Sequence, residues 1–324
     1  MTENTDPPSG HNAPKSVGVT DLFSKHGTLF FFITLISLNA FITPNFIAMG
    51  TLNNTLVQVL PVMLVALGMT MVISSGGIDI SVGAIMAISG AVSARLYTSG
   101  LGLTPALLCG VVAACLCGFL NGILIARFRI QPIIVTLVVM IAGRGLAQII
   151  TGKLFTSLLF TPFGDFGRFR VAGVIPVQIV IMILVITAML FVVRKTIYAK
   201  QVEAIGDNER AARLVGINTV SVTVGVYVLC GLLCAIAGNM EAARINGVNV
   251  GSLGLLIELD AIAAVAIGGT SFSGGKARIM GTVLGAIVVQ LVTIMANMND
   301  IAFHYSLIIK ALIVVIALWA QGRK

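Results

Sequence analysis

The sequence predicts an all-α polytopic membrane protein of about ten transmembrane helices. Three observations carry that prediction. The 324 residues are 57% hydrophobic and only 10% charged, whereas soluble domains sit nearer 45–50% apolar and roughly 25% charged. The mean hydropathy is +1.05, too high for a chain that must coat a core with polar surface. Apolar stretches of membrane-spanning length also recur along the chain, separated by short loops.

Residues 1–27 are polar and rich in Pro, Gly and Asn. They read as a disordered cytosolic tail, set apart from a transmembrane domain over residues 28–322. The first apolar stretch begins near Thr28 with no A-x-A site after it, so it reads as a retained span and not a removed signal peptide. Ten spans follow, near 28–46, 53–73, 80–98, 104–126, 132–151, 175–194, 219–243, 256–270, 279–298 and 302–320. The eighth is short, which suits a re-entrant or broken helix.

Lysines and arginines set the orientation. With the N-terminus inside, the inner loops carry Lys15, Lys25, Arg127, Arg129, Arg194, Lys195, Lys200, Arg210, Arg213, Lys276, Arg278, Arg323 and Lys324. The outer loops hold chiefly Lys153, Arg168 and Arg170. This asymmetry places both termini in the cytosol. It also accounts for the net charge of +8, and with no basic run interleaved with aromatics a nucleic-acid partner is not expected. The outer loop 152–174 carries Phe155, Phe160, Phe163, Phe166 and Phe169. It suits either partner docking or anchoring in the headgroups.

Packing is legible in small residues, which let helix backbones approach in lipid. Gly110, Ala114, Gly118 and Gly122 recur every fourth position on one span, Gly83, Ala87 and Ala91 on another, and Gly281 with Gly285 on a third. The five cysteines lie in apolar segments with no His, Asp or Glu at ligand spacing, and read as small membrane side chains.

Polar groups inside spans are costly and hence candidates for function. Asp79, Asn121, Arg144, Gln148, Glu241, Glu258 and Asp260 stand out, with Arg95 and Lys310. Snorkelling to an interface accounts for Arg95 and Lys310, and an i,i+3 pair accounts for Glu241 with Arg244. Arg144 either pairs with a carboxylate or faces a water-filled pathway. Gly76 and Gly77 break the backbone before Asp79 and Ser81, one of which is expected to cap the next span. That turn lies at the cytosolic face or forms an intramembrane break. No catalytic constellation and no phosphate-binding loop is present, "SGGKAR" at 273–278 lacking both the spacing and the hydroxyl. The spacing of Gly76-Gly77-x₃-Ser81-x-Gly83 recurs as Gly268-Gly269-x₃-Ser273-x-Gly275, a weak internal echo of the kind that repeat-built transporters show.

The most specific polar stretch is the inner loop 195–218. Asp207 or Asn208 caps a helix of about eight residues. Gly216 ends it in the left-handed conformation. An isolated helix so short is marginal in water, so it needs something to dock on. From this chemistry alone an importer permease and an ion-coupled secondary transporter using Asp79 or Glu258 both remain open.

"LVALGMTMVISSGGIDISVGAIMAISGA" (64–91), "VEAIGDNERAARLVGINT" (202–219) and "ELDAIAAVAIGGTSFSGG" (258–275) resemble the permeases of ribose-type ATP-binding-cassette importers, whose members move ribose, galactofuranose, other monosaccharides and a quorum signal. The likeness covers roughly residues 50–322, and "IQPIIVTLVVMIAGRGLAQII" (130–150) is most similar to the galactofuranose type. The resemblance implies a type II-like bundle in the bacterial inner membrane, working as one half of a permease dimer. It implies a periplasmic sugar-binding protein that delivers the monosaccharide and a cytosolic ATPase subunit that binds ATP and Mg, with no cofactor in this chain. Glu203, Gly206, Asp207, Asn208, Arg210, Ala211, Ala212 and Gly216 match the segment that couples to the ATPase, with Asp207 where relatives often carry Gly or Ala. Gly76, Gly77, Asp79, Ser81, Asn121, Arg144, Gln148, Glu258 and Asp260 are the pathway or hinge candidates.

Overall fold

The computed structural model describes residues 32–152 and 155–322; the tail over 1–27 lies outside them. The helices are α1 (Phe32–Ile42), α2 (Met49–Ser74), α3 (Val82–Thr98), α4 (Leu103–Ala126), α5 (Pro132–Thr151), α6 (Pro162–Phe166), α7 (Val177–Lys195), α8 (Ile197–Leu214), α9 (Thr219–Arg244), α10 (Ile257–Ile267), α11 (Ile279–Met298) and α12 (Phe303–Gly322). A helix falls on each of the ten expected spans. Among the described residues six helices are long and apolar enough to cross a bilayer: α2, α4, α5, α7, α9 and α11.

Two expectations are corrected. The fold is not all-α: β1 (Phe155–Ser157), in the loop 152–174, runs antiparallel to β4 (Gly247–Asn249), with Thr156 opposite Val248, and β2 (Arg170–Val171) pairs with β3 (Ile175–Pro176). Such pairing satisfies main-chain groups in segments too short to be helical. In addition, 197–207 is helix where a loop was expected, because the loop motif opens inside α8.

α2 is the axis of the bundle. Every residue from Val59 to Ser74 is buried, which fits a helix that is apolar all round. It packs on α9, α11, α10 and α7. The small-residue ridge of α4 is buried as expected, but against two partners. Gly110 meets Ser89 and Ser93 of α3, while Gly118 and Gly122 meet the α9 backbone at Tyr227 and Val224. On α10 and α11, Gly281 touches the Gly268 carbonyl and Gly285 touches that of Ala264. Each is a site where a Cβ would drive two backbones apart. The outward faces of α4, α5 and α7 expose Leu116, Leu120, Val138, Ile141, Ile183 and Leu184, apolar surface fit for lipid.

The loops sort to two ends. Residues 75–77, 125–126, 129–132, 205–210 and Ser273 line one cleft. The β1–β4 pairing gathers 155–157 and 247–249 at another point. In the loop 152–174, Phe163 is fully buried and stacks edge-on against Tyr97 with centroids 5.8 Å apart, Phe166 packs partly buried against the core, and Phe160 and Phe169 are exposed. The loop is therefore folded onto the bundle through two of its aromatics.

Candidate functional site

The three motif segments, far apart in sequence, meet at one point. α2 ends as its sequence dictates. Gly76 takes φ +84°, its N–H bonds to the Ile73 carbonyl and the Gly77 N–H to that of Val72, the Schellman arrangement that needs a left-handed residue. The freed carbonyl of Ser74 accepts from the Gly275 N–H at 2.9 Å. Gly206 of α8 fits between these two groups. Its missing side chain is the fit: a methyl there would collide with the Ser74 carbonyl and lie 2.5 Å from the Gly275 nitrogen. Gly274, at φ +93°, would bring its own Cβ within 2.6 Å of the Gly206 carbonyl oxygen, and Asp207 lies against Gly275. Glu203, paired with Lys200 at 2.8 Å, also accepts from the Ala277 N–H at 3.3 Å. α8 is thus fastened to the 268–278 loop by main-chain contacts that only glycine allows.

Directly after this contact the helix breaks. Asn208 is extended (φ −161°, ψ 101°), and its Oδ1 accepts from the Ala211 N–H at 3.0 Å. Of the two expected caps, Asn208 is the one used. The capped piece is shorter than expected, 209–214. Gly216, at φ +86°, closes it with a second Schellman turn, the Ile217 N–H reaching the Ala212 carbonyl. Asn218 then caps α9 through Ser221. Between Asn208 and Gly216 only Ala212 is buried; Arg210, Leu214 and Val215 project outward, the last two being 89% and 77% exposed. Glu209 and Arg213 pair along its surface. Its base is fixed by Tyr198, whose hydroxyl donates to the Val222 carbonyl at 3.1 Å; burial pushes that phenol up to about 12. Beneath the projecting turn lies a cleft of about 670 Å³ lined by Gly76, Gly77, Arg129, Gln131, Arg210 and Tyr227, among others.

The remaining candidates scatter. Asp79 is fully buried, and its Oδ1 accepts from the Ser81 N–H at 2.9 Å and the Ser81 hydroxyl at 2.5 Å. Asn121 of α4 donates to the same hydroxyl at 2.8 Å. This corrects the expected cap. Ser81 occupies the N-cap position of α3 in helical conformation without a side-chain cap bond, and Asp79 instead closes an Asx turn onto it. Arg144 lies beside the expected kind of partner, the carboxylate of Glu258, but its guanidinium donates to the carbonyls of Val250 (3.1 Å), Leu253 (2.6 Å) and Gly254 (2.8 Å). It fastens α5 to the loop before α10, with Glu258 and Gly83 alongside. Gln148 lies exposed on α5. Lys310 does not snorkel: it is 9% exposed and pairs with Asp260 at 2.8 Å, joining α12 to α10. Glu241 and Arg244 form the expected i,i+3 pair at 2.6 Å. The glycine echo is displaced by one residue. Gly269 (φ +82°), not Gly268, takes the place in α10 that Gly76 holds in α2, so the matched spacing does not mark equivalent turns.

One set of polar residues is absent from the sequence candidates. At the Met49 end of α2, Thr51, Asn54, Thr55 and Gln58 line a cleft of about 390 Å³ with Ile294, Asn297 and Met298 of α11. The signal was the i, i+3, i+4, i+7 spacing of these uncharged groups on one helical face, easily missed beside charged residues.

The model of the permease component of the branched-chain amino acid transport system matches residues 51–318. The chain is 39% identical to the galactofuranose transporter permease of Escherichia coli (strain K12) over 264 residues, which is 82% of this chain and 77% of that one. It is 36% identical to the ribose import permease of the same strain over 296 residues, 90% and 92% of the two chains. A fructose import permease of Bifidobacterium longum is 36% identical over 234 residues, 71% and 65%. With the family model covering most of its length and relatives of this identity aligned nearly end to end, the chain belongs to the permease-component family of the branched-chain amino acid transport type.

Proposed function

We propose that this chain is the membrane-spanning permease of an ATP-binding-cassette importer that carries a monosaccharide across the bacterial inner membrane. The sugar permeases among its relatives support the substrate class. The observation that carries the mechanism is the projecting turn 208–216, capped at both ends, docked on the bundle by one alanine and rooted in the Ser74–Gly206–Gly275 contact. A helix so poorly buried by its own chain is stabilised by a partner, and a cytosolic ATPase subunit is that partner in this reading. ATP binding draws the ATPase subunits together and pushes on 208–216. The glycine contact passes the push to α2, the axis of the bundle, and to the loop before α11; hydrolysis resets the cycle.

The topology follows. The loops after α2, α4, α7 and α10 meet at one cleft and therefore share a side of the membrane. They carry Arg127, Arg129, Arg210, Arg213, Lys276 and Arg278, and α7 ends there on Arg194 and Lys195, which makes that side cytosolic. With α1, α3, α10 and α12 completing ten crossings, both termini are cytosolic. A second permease copy or paralogue completes the pathway, and a periplasmic binding protein delivers the sugar. An ion-coupled cycle using Asp79 or Glu258 is not favoured: the relatives are import permeases, Asp79 is engaged by Ser81, and Glu258 stands beside the Arg144 guanidinium.

Gly216→Val forces a β-branched residue into positive φ, at a cost of about 1–2 kcal/mol, and Arg210→Glu reverses a projecting charge. Both variants are expected to insert normally and to lose most ATP-driven sugar uptake in reconstituted vesicles. Full uptake by both would overturn the coupling assignment.

A further inference from the structure

We propose that the cleft at the Met49 end of α2 is a hydroxyl-reading subsite for the carbohydrate in transit. Thr51, Asn54, Thr55 and Gln58 stand on one face of α2, and Gln290 lies one turn below Ile294 on the facing stripe of α11. The Gln290 amide donates to the Gln58 side-chain oxygen at 3.4 Å, which sets the floor. Below it the two helices close on each other, α2 being buried without interruption from Val59 to Ser74, and Thr70 and Thr282 share a hydrogen bond at 2.7 Å. The volume of about 390 Å³ falls within the range of small-molecule sites.

The chemistry of the lining selects the ligand. The amides donate and accept, and the Thr51 and Thr55 hydroxyls, which donate to the Asn45 and Thr51 carbonyls, are left to accept, as sugar hydroxyls require. No charged side chain lines the cleft, so nothing there favours an ion over a neutral polyol. The bonds are few and Asn54 and Asn297 are exposed, which keeps binding weak enough for release. Pro61 sits one turn below Gln58. Its ring removes the N–H that would bond to the Val57 carbonyl and loosens the helix there, a joint between the polar segment of α2 and its buried one.

This inference rests on the transport reading, and the experiment separates the two. The complete importer, with its ATPase and binding protein, is reconstituted in vesicles and offered radiolabelled ribose, galactose, fructose and 2-deoxyribose. No ATP-driven uptake of any of them by the wild type would sink the transport reading itself. Given wild-type uptake, Gln58→Leu and Asn54→Leu are expected to slow it about three- to tenfold each. They are also expected to shrink the preference for ribose over 2-deoxyribose, because an amide that is gone can no longer sense the missing hydroxyl. Gln58→Asn, milder in shape, is expected to keep part of both. Leu56→Ala, on the other face of α2, changes neither. Wild-type rates with an unchanged sugar preference in the leucine variants would overturn the subsite. So would a loss of rate with no change in preference in both Gln58→Leu and Gln58→Asn, since that is the mark of a purely structural role.

Discussion

The two ends of α2 are built on opposite principles. At its Ser74 end, backbone meets backbone through Ser74, Gly206, Gly274 and Gly275, with no room for a Cβ at Gly206. At its Met49 end, amides and hydroxyls stand around open space. About 24 Å of buried helix separates Gln58 from Ser74, at 1.5 Å per residue. The contrast teaches what each end is suited to. A contact held by main-chain groups is stiff and transmits displacement, whereas a cleft of side-chain hydrogen-bonding groups adapts to a ligand. One helix, apolar all round and lodged in the centre of the bundle, joins the two.

The comparison can be broken most directly at Gly206. Alanine there sets a methyl against the Ser74 carbonyl and the Gly275 N–H, neither of which can turn aside as a side chain would. Gly206→Ala is expected to lower stability by about 3 kcal/mol or more and to abolish uptake, read by thermal unfolding of the detergent-solubilised protein and by transport. An unchanged melting temperature would show that the contact is loose.

A smaller effect is expected just past the same end. Asp79→Ala strips the Ser81 N–H and hydroxyl of their acceptor, a loss of about 1–3 kcal/mol. Asp79→Asn keeps an oxygen for that turn and should lose less than about 1 kcal/mol. Equal and complete loss of uptake in the two, with stability retained in Asp79→Asn, would instead make the charge itself essential.

The smallest effect on stability belongs to the open end. Asn54→Ala removes an exposed amide and is expected to shift stability by no more than about 0.5 kcal/mol. A melting shift as large as that of Asp79→Ala would mean that this end is packed after all, and the contrast between the ends would fail.

Much of the architecture was legible in the chain. Ten apolar stretches coincide with helices because hydrophobicity over some twenty residues is a local sum. Gly76 and Gly216 were readable as stops, since a left-handed turn after a helix selects glycine from within its own few residues. The capping amide was narrowed to two neighbours for the same reason. Lys310 was misread, and the carbonyls that hold Arg144 were not foreseen, because a long cation's partner lies wherever the fold puts it: here, a carboxylate fifty residues back and carbonyls more than a hundred residues away.

By itself, then, the sequence determined the membrane environment, where the helices fall and the three motifs, all consequences of local composition and of backbone rules acting over a few residues. Only the tertiary structure decided that Ser74, Gly206 and Gly275 touch, that Asn208 is where α8 breaks, and that five uncharged polar side chains on α2 and α11 share one cleft. Those are long-range juxtapositions. They are set by which helix faces can approach closely enough to bury each other, and no window along the chain contains that information.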